Sequence, residues 1–156
     1  VIGLLGSDRS LKSLSIGCSL KRPDRLYINA NDDIELDECD ERQHHGANGD
    51  YTCEEKRLTE IYDSEQISGN KMIVIRWNPD GYKLRQTNKQ QKQKKMPRAE
   101  RMQLFVDLKL HLRNNPPNEL IHVFYMFYDA DNPHICKNIP VSHVSSRADL
   151  RKLQQQ

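Results

Sequence analysis

A layered α/β fold built on a mixed sheet is what this sequence predicts, and three observations predict it. A polar turn joins two alternating segments near residue 30, a continuous β-branched run stands alone at 72–77, and helical periodicities flank that run. The turn implies an antiparallel pair, whereas strand–helix–strand segments favour parallel crossovers. At 156 residues the chain suits one domain with a sizeable core. That domain is placed at 1–144, with a polar, frayed tail over 145–156.

The first segment, with Leu11, Leu14 and Ile16, suits a short helix or strand. Arg25-Leu26-Tyr27-Ile28 is the first clear strand, and Asn29-Ala30-Asn31-Asp32-Asp33 turns the chain because Asn and Asp tolerate tight-turn backbones. The return strand, 34–40, carries Ile34 and Leu36 on one face. Period-two alternation sets Glu38 and Asp40 further along that same face. Gly46-Ala47-Asn48-Gly49-Asp50 interrupts the pattern, and Thr52 caps a helix to about residue 64 whose inner side is Leu58, Ile61 and Tyr62. Met72-Ile73-Val74-Ile75-Arg76-Trp77 reads as a central strand covered on both faces, stopped by Pro79. Pro97 opens a second helix to about residue 113, with Met102, Phe105, Leu108 and Leu112 as core contacts. Pro116-Pro117 ends it, and 120–128 is the last strand.

Composition excludes several functions. No apolar run approaches the roughly 20 residues that cross a bilayer, so no membrane is expected. The opening Val1-Ile2-Gly3-Leu4-Leu5-Gly6 does not read as a secretory signal, and the chain reads as an excised part of a larger polypeptide. Four scattered cysteines, Cys18, Cys39, Cys53 and Cys136, favour reduced thiols inside a cell, in nucleus or cytoplasm. A Gly-rich phosphate loop, a nucleophile elbow and a His-Glu-x-x-His helix are all missing from the sequence. The net charge is only +2, but it is unevenly spread: 32–65 is rich in acids, and Lys89-Gln90-Gln91-Lys92-Gln93-Lys94-Lys95 is basic. Carboxylates to hold a cation beside cations to hold a backbone suit a metal-dependent phosphodiesterase, although either run alone is ordinary solvated surface.

The hairpin supplies the chemistry. Asp24 begins one strand and Glu38 and Asp40 end its neighbour, so the three acids converge on one rim, where a hard cation such as Mg²⁺ takes carboxylate oxygens. A second register, Glu35 and Asp37, lies on the opposite strand face. A zinc site from Cys39, His44 or His45, Cys53 and Cys136 has only weak support, because no Cys-x-x-Cys knuckle occurs. Glu54 and Arg57, three apart on a helix, suit a simple ion pair, and Trp77 suits core packing.

Arg22-Pro23-Asp24, Glu38-Cys39-Asp40-Glu41-Arg42-Gln43-His44, Tyr51-Thr52-Cys53-Glu54-Glu55-Lys56-Arg57 and Ile75-Arg76-Trp77-Asn78-Pro79-Asp80 together resemble signatures of PD-(D/E)XK nucleases related to very-short-patch repair endonucleases. They also resemble restriction-endonuclease-like domains of mobile elements and large DNA viruses. The likeness spans residues 22–80 in order, with weaker likeness through Phe127, and the E-x-D-x-x-Q-H run is its most specific part. The resemblance implies a restriction-endonuclease-like sheet flanked by helices, Mg²⁺ (or Mn²⁺) dependence and cleavage of DNA. By position it gives Asp24 and Glu38 the two metal-holding acid slots; Asp40, an anion at neutral pH, suits the metal as well, with Gln43 to position water or phosphate and His44 as base or acid. Asp40 departs from the pattern, since that slot usually holds lysine. Lys56 and Arg76, with Lys92, Lys94 and Lys95, are the expected nucleic-acid contacts. The alternative is a module that keeps the fold and binds nucleic acid without cutting it.

Overall fold

A computed structural model of the chain describes residues 24–29, 32–41, 52–63, 70–83, 96–129, 132 and 135–155. Its elements are β1 (Arg25–Ile28), β2 (Ile34–Cys39), α1 (Thr52–Tyr62), β3 (Met72–Trp77), α2 (Arg98–Asn114), β4 (Ile121–Met126), β5 (Val141–Val144) and α3 (Arg147–Leu153). The five strands form one sheet in sequential order; β1 and β2 are antiparallel and the other three pairs parallel. The expected α/β class and mixed sheet are therefore present. Among the described residues no helix is long and apolar enough to cross a membrane.

The hairpin forms where the Asn/Asp run dictates. Asp32 takes a positive φ of 61°, a conformation that Asp tolerates better than most residues. The Asn29 side-chain oxygen accepts the Asp33 amide at 2.9 Å, and its carbonyl accepts the Asp32 amide at 3.1 Å. β3 is the middle strand and all six of its residues are buried, as its uninterrupted apolar run requires.

Two apolar layers sandwich the sheet. Leu58 and Ile61 of α1 meet Leu26, Ile34, Leu36, Val74 and Val123 on one face, while Leu104, Leu108 and Leu112 of α2 and Leu150 of α3 meet Ile73, Ile75, Phe124 and Val144 on the other. The inner side of α1 is the expected one, with Tyr62 at its margin. On α2, Leu108 and Leu112 are buried and Phe105 partly so, but Met102 is 45% exposed and Leu104 takes the inner position instead. The spacing Leu104, Leu108, Leu112 is strictly four, which keeps one narrow seam against the sheet.

The C-terminal segment corrects the expected frayed tail. It contributes β5, paired in parallel with β4, and then α3. Ser146 caps the helix by accepting the Asp149 amide, and Asp149 in turn accepts from the Ser145 amide and the Ser146 hydroxyl. Buried Leu150 and half-buried Leu153 anchor this short helix on the α2 face. Polar composition concealed it because only one side of the helix needs to be apolar.

The connection from β4 to β5 is pinned from α1. Glu55 accepts the Lys137 and Asn138 amides, the latter at 2.9 Å, and the Asn138 side chain at 2.7 Å. Burial is the largest single influence and opposes its charge, but these donors together prevail and hold the carboxyl below its ordinary range. A depressed folded-state value means the contribution is present above the unfolded carboxyl range and is lost as pH falls through the folded value. Glu55→Gln is expected to cost about 1 kcal/mol at neutral pH, with the difference shrinking on acidification. Urea titrations of both proteins at neutral and acidic pH check this; an equal difference at both would refute the linkage.

Candidate functional site: an ion network at the end of β2

The alternation of β2 continues past its last aliphatic, so Glu38 and then Asp40 follow Ile34 and Leu36 on the α1 side. In the hairpin register Arg25 faces Asp37, which sets Asp24 and Glu38 at the next opposed positions. Asp24 is exposed, and its Oδ2 accepts the Cys39 amide at 2.7 Å. The first acid is thereby fixed to the residue lying between the other two.

Glu38 and Asp40 are buried and paired. Arg57, projecting inward from α1 beside Leu58, places Nη2 at 2.8 Å from Glu38 Oε1 and Nη1 at 3.0 Å from Glu54 Oε1. The expected Glu54–Arg57 pair is thus present, extended by one acid. Arg76, at the end of β3 and 1% exposed, donates from Nε at 2.5 Å and Nη2 at 3.0 Å to the two oxygens of Asp40, a bidentate fork. Its Nη1 lies 2.8 Å from Glu54 Oε1, close enough for the charges to pair although the N–H points off that oxygen. The Tyr128 hydroxyl also donates to Asp40.

Electrostatics follow from burial and pairing. Burial pushes the Glu38 carboxyl above its ordinary range, opposed by Arg57. Burial disfavours the Arg76 charge, but Asp40 and Glu54 outweigh it and hold the guanidinium well above its ordinary value. Burial, reinforced by Asp40, raises Tyr128 so that it stays a neutral donor. Asp24, Glu38, Asp40 and Glu54 against Arg57 and Arg76 leave two more carboxylates than guanidiniums. That hard-oxygen set and its excess of negative charge suit a divalent cation. Among the described residues, however, no group of three His, Cys, Asp or Glu side chains is arranged to hold a metal ion. Glu38 and Asp40 are turned toward arginines.

The other expected residues separate clearly. Arg76 lies within the network rather than on the surface, and Lys56 is exposed and pairs with Glu60 at 3.7 Å. Gln43, His44, Lys92, Lys94 and Lys95 lie outside the described residues. Glu35 and Asp37, the second register, occupy the α2 face and share Lys109, which lies 2.6 Å from Glu35 and donates to Asp37, while Arg113 lies 3.6 Å from Glu35. Trp77 is buried against Phe105 and Phe127, as core packing requires. Cys136 is buried and bonded to the Tyr125 hydroxyl, while Cys39 is exposed at the lip.

Tyr128 is the participant that strand periodicity misses. Phe127 has a positive φ of 62°, so Met126 and Phe127 both join the α2-side core and Tyr128 returns to the α1 side. Asn78 holds this kink by donating to the Phe127 carbonyl at 2.8 Å. No family model matches the chain, and no curated protein or solved structure matches it.

Proposed function

We propose that this chain is a divalent-cation-dependent DNA endonuclease with a restriction-endonuclease-like fold. The observation that carries the reading is the bond from the Cys39 amide to Asp24, which ties that acid, fifteen residues away in sequence, to the residue between Glu38 and Asp40. Asp24 and Glu38 would hold Mg²⁺ or Mn²⁺, which when bound lowers the pKa of water and neutralises charge developing on phosphate. Asp40, where the family pattern has lysine, brings a cation to the slot by another route: it fixes the Arg76 guanidinium beneath the lip. Arg57 and Glu54 keep α1 in register with that arrangement.

The test is nicking of supercoiled DNA by the purified chain with Mg²⁺ or Mn²⁺. Asp24→Asn is the cleanest variant because the residue is exposed. It is expected to lower the rate by about two orders of magnitude, as removal of one transition-state charge stabiliser does, with unchanged circular dichroism. Full activity in this variant would discard the assignment.

A second reading, a module that binds nucleic acid without cutting, draws on the engagement of both Asp40 oxygens by Arg76 and Tyr128. It expects DNA affinity that weakens steeply with salt and intact plasmid under every divalent ion tried.

A further inference from the structure

At the far end of the sheet, on the α2 face, two side chains at and just before the start of β4 meet one from β5. Ser142 of β5 lies with its Oγ 2.9 Å from His122 Nε2 of β4, and His122 Nδ1 lies 3.2 Å from Glu119 Oε2. One imidazole tautomer satisfies both contacts: Nδ1–H donates to Glu119 and Nε2 accepts the Ser142 hydroxyl proton. Phe124 stacks on the imidazole at 4.5 Å with a 26° tilt, which fixes the ring plane. Glu119 remains anionic, its carboxyl held below the ordinary range by its own backbone amide and by His122. Ser142 is half-buried, the His122 side chain is 12% exposed and that of Glu119 45% exposed, so the site is sheltered at the imidazole and open at the carboxylate.

We propose that Ser142 is a nucleophile with His122 as its general base and Glu119 as the positioning residue, acting on activated carboxylic esters. The arrangement has the order that serine nucleophiles require: hydroxyl to imidazole, imidazole to carboxylate. The Ser142 oxygen attacks the carbonyl carbon while its proton passes to His122 Nε2. Collapse of the adduct breaks the ester C–O bond, and the leaving alkoxide takes that proton. Water, deprotonated by the same nitrogen, then attacks the acyl-serine; the acyl carbon–Oγ bond breaks, Ser142 Oγ takes the proton back from His122, and the carboxylic acid leaves. The sequence offers no glycine-flanked elbow around this serine, so only the fold reveals it.

The test uses the full chain and two probes. Diisopropyl fluorophosphate should form an O–P bond at Ser142 with loss of fluoride, seen as one adduct by intact mass and mapped by peptide fragmentation. p-Nitrophenyl acetate should be hydrolysed. Ser142→Ala is expected to abolish both, and His122→Gln to slow both by about a hundredfold, the lower range for a general base. Glu119→Gln should slow labelling, and Glu119→Asp should restore it. DNA nicking should be unaffected throughout. No adduct on the wild-type chain, an adduct mapped elsewhere, or undiminished hydrolysis by Ser142→Ala would each overturn the proposal.

Discussion

Replacing Arg76 with methionine is expected to destabilise the protein by about 3–5 kcal/mol, the cost of leaving a buried charge unpaired. The guanidinium is 1% exposed and pairs with two carboxylates, Asp40 through a bidentate contact and Glu54, which it shares with Arg57, through Nη1. Methionine fills much of the volume but removes every donor. Asp40, itself buried, would then keep only the Tyr128 hydroxyl from the network described above. A compensating variant separates charge from packing: Arg76→Met with Asp40→Asn should regain part of the loss, because the carboxylate that faced the guanidinium is gone as well. Urea unfolding measures both. A loss below about 1 kcal/mol for the single substitution would show that the pairing contributes little net stability. Lysine at this position should also be poor, since it keeps the charge but not the planar fork.

Leu108→Ala is expected to cost about 2–5 kcal/mol, whereas Met102→Ala, six residues earlier on the same helix, should fall within about 0.5 kcal/mol of wild type. Leu108 is fully buried between Leu104 and Leu112 in the seam that holds α2 to the sheet, and Met102 is 45% exposed. The pair controls for helix propensity, because both parent residues are good helix formers and both variants carry alanine. Comparable losses at the two positions would mean that the outer face of α2 is covered in solution.

Strand positions were the most legible part of this sequence, and the reason is physical. A strand buried on both faces leaves a continuous β-branched run, and β3 spans the six residues of that run. The hairpin was legible because its turn needs residues that tolerate positive φ, and Asp32 supplies one. The C-terminal helix was not, because its grip is a single seam, Leu150 and Leu153, within a polar stretch. The clustering of acids on one face of β2 followed from period-two alternation, but their partners did not. Arg76 read as a surface clamp because sequence cannot tell a buried arginine from an exposed one; burial depends on Asp40 and Glu54 arriving from other elements. Tyr128 escaped because alternation assumes an unbroken strand, and the kink at Phe127 shifts the phase by one residue.

The acids of β2 also bear on the order in which the molecule assembles. Glu35, Asp37, Glu38 and Asp40 stand in one short stretch, and the cations that quiet them come later in the chain, at Arg57, Arg76 and Lys109. During synthesis this stretch leaves the ribosome before those three partners, with Arg25 of β1 already made and placed opposite Asp37. Its full charge compensation is therefore complete only once α1, β3 and α2 have been made.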